Sequence, residues 1–448
     1  MKPSQFFLIT NLLFFAAGCT TDPKSQDQVV ALALLAAARP SQSDLVRNYA
    51  SIAFANYSDV VTQTNSLVTA VNQFVGAAGS DQLSPSQQQF DAAKKTWVDA
   101  RVYYQQSEGF RFANNGPINQ NLETRTPDVE LEKLVNSWPL DETLVENCII
   151  ANTNVTSSQL TEDFLLSRNT QSNAGGITGC SGFINNDKNI LVGWHAIEYL
   201  LWGRDCSTAL SVLSCNPSDY YTNSAGQRPL SYFTGSSAQA TKARAYLRIA
   251  TGLLLKHVTL LRDAWDPSRT GSYGTSFQAN TSASLSAIFT GLANFSKAEW
   301  GGERLKIITT NDQEDEHSCF SDNTKADFFY DAQGVLNIYN GTYTRLDRTT
   351  ISGTGIKSFA GSNDATASKN LTDARDLFCL NVDGPSMLSN TTSCTQTAIQ
   401  GRYDTIGTNT NNSEFSKLQN VQTAIISFST LIQRIARDNQ INFTAPAN

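Results

Sequence analysis

Between Gly193 and Gly203 the chain reads Gly-Trp-His-Ala-Ile-Glu-Tyr-Leu-Leu-Trp-Gly, an apolar run interrupted by one histidine and one glutamate. No other stretch restricts the fold as tightly. From Ile190 to Trp202 the residues are apolar all round a helix, which predicts a segment buried among other helices and not one lying on a surface. On that helix His195 and Glu198, three residues apart, project from one side, flanked by Leu191, Tyr199 and Trp202. An ionisable pair in such surroundings must meet an arginine, another polar side chain, ordered water or a metal ion, because leaving it unpartnered costs roughly several kcal/mol.

Partners for such a helix are visible elsewhere. Residues 44–75 carry apolar side chains at helical spacing, among them Leu45, Tyr49, Ile52, Val60, Leu67, Val71 and Phe74, and the stretch ends at 76–80. At Ser84-Pro85-Ser86-Gln87 serine, proline and glutamine stand as N-cap, first helical residue and capping-box partner of a helix reaching about Glu108. Further helices are predicted over 162–168, 189–202, 238–265, 282–308 and 414–438. Period-two alternation is almost absent, so the expected class is all-α. Breaks rich in Ser, Thr, Asn and Gly fall at 152–158, 169–182, 207–237, 266–281 and 341–368. The gap at 207–237 suggests a boundary between two helical-bundle domains packed side by side, 35–235 and 236–440.

The first residues indicate the compartment. Lys2 is followed by an apolar stretch from Phe6 to Phe15 and by Ala16-Ala17-Gly18-Cys19, the small-residue junction of a bacterial lipoprotein signal. Residues 1–18 are then a signal peptide, Cys19 the acylated residue that anchors the chain to a membrane of the cell envelope, at its periplasmic face or the cell surface, and 19–34 a tether. Lys2 is the one charged residue of that leader, so its removal takes the net charge from −7 to −8. This balance argues against nucleic acid as a partner. Seven cysteines remain besides Cys19, and in an oxidising compartment structural disulfides are the natural use. Proximity favours Cys148 with Cys180, Cys206 with Cys215, and Cys379 with Cys394, although sequence does not fix connectivity.

A second polar cluster runs from Asp312 to Asp322 and sets five carboxylates around His317. If the segment is helical, Glu314 and His317 share a face with the Glu-x-x-His spacing that carboxylate-bridged metal sites in bundles use. The alternative is a solvated helix end. For His195 and Glu198 the alternative is a core hydrogen bond or ion pair fixing helix register, with Arg101 or Arg111 as partner. His257, within Leu253-Leu254-Leu255-Lys256-His257-Val258, is expected to be a partly buried packing histidine. Glu108 and Arg111 stand three apart where the second helix should end, a spacing that also suits a surface ion pair.

These segments together resemble the imelysin family. The Gly193-x-His195-x-x-Glu198 signature is followed by Tyr199-x-Leu201-Trp202-Gly203. Three more segments match: Glu108-Gly109-Phe110-Arg111-Phe112 with Gly116-Pro117-Ile118, then Trp138-Pro139-Leu140-Asp141, then Glu314-Asp315-Glu316-His317-Ser318-Cys319-Phe320-Ser321-Asp322-Asn323-Thr324. The resemblance implies an all-helical envelope protein of two bundles, linked in several members to iron acquisition, and it carries an old peptidase label. Trp194 and Tyr199 depart modestly from the usual aromatic, and Lys325 stands where histidine is common.

The leading expectation is therefore an envelope lipoprotein that binds a metal ion or a metal-bearing ligand at an interdomain site, in metal uptake. His195, Glu198, His317, Glu314 and Asp315 would be the metal-site residues, with Glu108, Arg111 and Asp322 contributing to ligand binding. Imidazole with carboxylates suits iron or zinc, and the absence of soft ligands argues against copper(I). A rival expectation is a zinc metallopeptidase in which His195, Glu198 and His317 hold zinc and Glu314 activates water; no His-Glu-x-x-His helix supports it. A third is a surface lipoprotein that binds another protein without metal.

Overall fold

In the computed structural model the helix α1 (Gln42–Val75) is the longest element, and its buried face carries Leu45, Tyr49, Ile52, Tyr57, Val60, Leu67 and Phe74. The described residues are 41–446 apart from 114–115, 127, 169–176, 179, 181–188, 206–225, 311–314, 379–397, 400–402 and 408. The helix α2 (Gln87–Gln105) starts two residues later than the serine-proline pair suggests. Ser86 is its N-cap, with Gln89 N–H donating to Ser86 Oγ at 3.2 Å and Ser86 N–H to Gln89 Oε1 at 2.8 Å. That reciprocal box satisfies two donors that the helix itself leaves open.

Short elements follow: α3 (Leu131–Val135), α4 (Glu142–Val145) running into a π-helical turn (Glu146–Ile150), and α5 (Glu162–Arg168). The signature helix α6 (Trp194–Trp202) is buried on every side. Then come α7 (Ala238–Trp265), α8 (Tyr273–Ala279) and α9 (Thr281–Asn294), which passes into a π-helical segment (Phe295–Arg304). The rest comprises α10 (Ile307–Thr310), α11 (Thr324–Asn340), α12 (Asp364–Leu377), α13 (Tyr403–Gly407) and α14 (Phe415–Asp438). A two-stranded antiparallel hairpin pairs β1 (Thr342–Thr344) with β2 (Thr350–Ser352). The class is all-α with this one small departure among the described residues.

The helix α1 packs along both α2 and α7, and α6 is wedged between α2 and α7. On its other side α2 meets α11, which continues the packing to α12, and α14 lies against α12, α9 and the π-helical segment. Two elements thus control the middle of the molecule: α2, which touches both groups, and α6, whose indole neighbours lock it in place. Trp97 of α2 packs edge-on to Trp194 and Trp202, and its Nε1 donates to the Trp194 carbonyl at 3.1 Å. Tyr246 of α7 donates to the Leu191 carbonyl at 2.8 Å. One disulfide joins Cys148 to Cys180; the other favoured pairings, and Cys19, involve residues outside the described set. No helix among the described residues is long and apolar enough to cross a membrane.

Candidate metal-binding site

The glycine that opens the signature sets the direction of α6. Gly193 is the N-cap with φ at +92°, and a Cβ there would stand 2.6 Å from the Val135 carbonyl oxygen. Only glycine tolerates both the left-handed backbone and the close approach of the chain end of α3. The helix therefore begins at Trp194, not at 189 as its apolar pattern suggests.

One turn into α6, His195 Nδ1 and Glu198 Oε2 lie 2.8 Å apart, with the two side chains 1% and 0% exposed. The other glutamate oxygen, Oε1, accepts from the backbone N–H and the hydroxyl of Ser321 at 2.9 and 2.7 Å. This brings the signature against the second cluster across more than a hundred residues of chain. The His195 and His317 rings stand 5.6 Å apart between centroids, and Trp138 lies against His195 at 4.7 Å. His195 Nε2 is buried without a hydrogen-bond partner among the described residues, and so is His317 Nδ1, which sits 3.6 Å from Asp327 Oδ2.

Burial, reinforced by the positive charge of Arg101, holds His195 well below the usual histidine range. His317 is held there as well, by burial and by Arg304 and Arg101. Both imidazoles are neutral near pH 7, the state in which one ring nitrogen offers a lone pair. Glu198 moves the other way. Burial raises its carboxyl to about 8 in spite of the bonds from Ser321, so near pH 7 it is mostly the neutral acid and donates to His195 Nδ1.

A buried arginine ties the walls of the site together. Arg101 of α2 is bound to Asp327 of α11 at 2.6 Å and to Asn136 Oδ1 at 2.7 Å, and Asp327 also accepts from the hydroxyl of Ser318 and from Asn323 Nδ2. Arg101 thus has Asp327, and not Glu198, as its partner. A second ion cluster adjoins it. Glu108 is fully buried, paired with Arg111 at 3.2 Å and with Arg304, which also binds Asp331 and Glu299 at 3.0 Å each. Burial pushes Glu108 up, but Arg304 and Arg111 outweigh it and hold the carboxyl below its ordinary value; burial dominates at Asp331, whose carboxyl lies well above its own. The surface ion pair that suits Glu108 and Arg111 in sequence is, in the fold, part of a buried network.

Arg111, Arg304, Glu132, Glu299, Lys306, Asp315, Trp138 and His317 line one cavity of about 650 Å³. Asp315 stands at its edge, accepting from Thr310 Oγ1 at 2.5 Å, with Lys306 Nζ at 3.8 Å. Asp322 follows Ser321 in the turn that grips Glu198, with φ at +56°. Glu314 lies outside the described residues. His257 is fully buried on α7, 3.3 Å from Glu123, and takes no part in the site.

The donor set fits a cation in one respect and sets a limit in another. Two imidazoles bound to one ion at about 2.1 Å have centroids roughly 4.6 to 6.5 Å apart, a range that includes the observed ring separation. Among the described residues, however, no group of three His, Cys, Asp or Glu side chains is placed to hold a metal ion. Both Glu198 oxygens are engaged by His195 and Ser321, so Glu198 has the position of a group that orients the histidine from behind. Ser321, Asn136, Ser318 and Asp327 emerge only from the fold; of these, Ser318 and Ser321 lie within the quoted motif.

The imelysin family model matches residues 53–382, a span that contains the complete site. The chain belongs to the imelysin family. The crystal structure of an iron-regulated protein A precursor from Parabacteroides distasonis is similar with a TM-score of 0.58 at 16% identity, covering 90% of this chain and 97% of that one. An imelysin-like protein from Psychrobacter arcticum is similar with a TM-score of 0.49 at 11% identity, covering 87% and 93% respectively. No curated protein matches the sequence. The matched span includes His195, Glu198 and His317.

Proposed function

We propose that this imelysin-family protein is a lipid-anchored envelope protein that captures a metal ion or a metal-bearing ligand for uptake, with His195 and His317 as its protein donors and iron as the first candidate. The observation that carries the proposal is the pair of buried, neutral imidazoles, each with a ring nitrogen that has no hydrogen-bond partner among the described residues. A buried polar atom left without a partner is costly, by about 1 to 3 kcal/mol, and two such atoms on neighbouring rings suit a shared ligand. With Glu198 as the neutral acid donating to Nδ1, His195 Nε2 carries the ring proton. A cation at Nε2 would displace that proton, Nδ1 would take the one from Glu198, and one proton would leave, so that Glu198, 2.8 Å away, would face the bound imidazole as a carboxylate. A carboxylate in that position orients a metal-binding imidazole and raises its basicity. On His317 the unpartnered nitrogen is Nδ1 itself, with Asp327 Oδ2 3.6 Å from it.

Two protein donors leave most coordination positions to other ligands. That favours cargo arriving with ligands of its own, and the adjoining 650 Å³ cavity has room for them. Imidazole nitrogen suits iron and zinc alike. The Parabacteroides protein of similar fold is named as iron-regulated, which makes iron the first ion to test. The membrane anchor rests on the signal pattern ending at Cys19.

Titration calorimetry with Fe(II), Zn(II) and ferric citrate on chelator-treated wild type, His195→Ala and His317→Ala tests the proposal, at a temperature where all three stay folded. Binding tighter than about millimolar in wild type, roughly −4 kcal/mol, and its loss in both variants is the expected result. Failure of wild type to bind any of the three would overturn it. Peptide cleavage that depends on added zinc and on His195 would replace it with the peptidase reading.

A further inference from the structure

A second cavity, of about 410 Å³, lies at the carboxyl-terminal end of α6, away from the histidines, and is lined by Gln87, Asp91, Lys94, Trp202, Arg228 and Leu230 among others. Its cations are arranged unusually. The Lys94 ammonium lies 4.3 Å from the centroid of the Phe90 ring and 5.4 Å from that of Trp202, and it makes no hydrogen bond or ion pair among the described residues. Asp91, the nearest carboxylate on the same helix, accepts from Gln87 Nε2 at 2.8 Å and forms no ion pair with Lys94 among the described residues. Arg228 is positioned from behind: Nε and Nη2 donate to the Tyr199 carbonyl at 3.3 and 3.2 Å, and its guanidinium lies 3.8 Å from the Tyr232 ring. Glu146 is 3.6 Å away from the same Nη2, and Nη1 has no hydrogen bond among the described residues.

An ammonium held against two aromatic faces gains cation–π attraction but no charged hydrogen bond. Its three N–H donors are those a carboxylate or phosphate oxygen would take, and a planar guanidinium with a spare N–H beside it is suited to the same group. The carboxyl-terminal end of a helix ordinarily repels anions. Here Arg228 covers the Tyr199 carbonyl, which removes much of that opposition.

We propose that this cavity is a second ligand site, specific for a small oxyanion, a carboxylate or a phosphate, bound by Lys94 and Arg228. The proposal is independent of the metal site. Burial lowers the Lys94 amine to about 8, with Asp91 opposing and Arg228 adding to the shift, so an anion seated on it would return the amine to its charged form.

The test is competitive acylation of the full chain with an acetyl ester at pH 8, read residue by residue by mass spectrometry, with exposed Lys369 as the internal reference. Lys94 should be acylated faster than Lys369 in chloride. Saturating inorganic phosphate, citrate or acetate should slow Lys94 about tenfold or more while leaving Lys369 unchanged. Protection by phosphate alone or by the carboxylates alone identifies the headgroup. No protection by any of them, equal protection of both lysines, or failure of Lys94 to react at all would overturn the proposal. Calorimetry with the protecting anion on Lys94→Met, which keeps the apolar stem, should show at least about a tenfold loss of affinity, and Lys94→Arg should restore part of it. Unchanged affinity in Lys94→Met would also overturn it.

Discussion

Replacing Glu198 by glutamine should stabilise this protein at neutral pH. The carboxyl is raised by burial from 4.5 to about 8, so it folds as the neutral acid although the unfolded chain carries it ionised. At pH 7 the required protonation costs about 1.4 kcal/mol per pH unit over some two and a half units, roughly 3 kcal/mol. A glutamine is neutral in both states and avoids that cost. Its Oε1 can accept from the Ser321 N–H and hydroxyl, and its Nε2–H can donate to His195 Nδ1, as the acid does. The sign is set by the raised value. The wild-type contribution is complete below about pH 4.5 and is lost as the pH rises through 8. The advantage of Glu198→Gln should therefore be near zero at pH 4.5, up to about 3 kcal/mol at pH 7, and level above pH 8. Urea unfolding of chelator-treated wild type and variant at these three values measures it. A variant less stable than wild type by more than about 1 kcal/mol at pH 7, or a difference that does not change with pH, would show that Glu198 is ionised in the fold and refute the reasoning.

Arg101→Met should cost about 3 to 5 kcal/mol in the same assay by leaving Asp327 buried without its cation, and Arg101→Met combined with Asp327→Asn should recover part of the loss. Gly193→Ala should cost more than about 2 kcal/mol, because it adds a Cβ 2.6 Å from the Val135 carbonyl oxygen at a positive φ, whereas Gly235→Ala, with open space at its Cβ, should show only the conformational part of that penalty. Cys19→Ser should move the expressed protein from the detergent phase to the aqueous phase, and unchanged partitioning would remove the lipid anchor from the account.

The long helices were legible because their apolar residues recur at helical spacing. The predicted 238–265 coincides with α7, and 44–75 differs from α1 by two residues at its start. The signature helix begins later than its composition indicates because Gly193 takes a left-handed conformation that hydrophobicity does not encode. The predicted 282–308 helix is a regular helix only to Asn294, after which a π-helical segment aligns Glu299 and Arg304 with the ion cluster. Thr324–Asn340 escaped notice because it mixes buried polar side chains, Asp327 and Asp331, with its apolar ones. Those aspartates were invisible as site residues for the same reason. Each is paired with an arginine distant in sequence, Arg101 or Arg304, and no local pattern announces such a partner. His195, Glu198 and His317 were legible because an ionisable group in an apolar run, or a histidine among carboxylates, is conspicuous on composition alone.

The central claim is that His195 and His317 bind one metal-bearing ligand. An anomalous difference map from a crystal of the protein soaked with ferric citrate or zinc, collected at the metal edge, tests it most directly. The account predicts one dominant peak about 2.0 to 2.3 Å from His195 Nε2 and at a similar distance from a ring nitrogen of His317, with Glu198 still on His195 Nδ1. A dominant peak elsewhere, or none between the two rings in protein that binds the metal in solution, would contradict it.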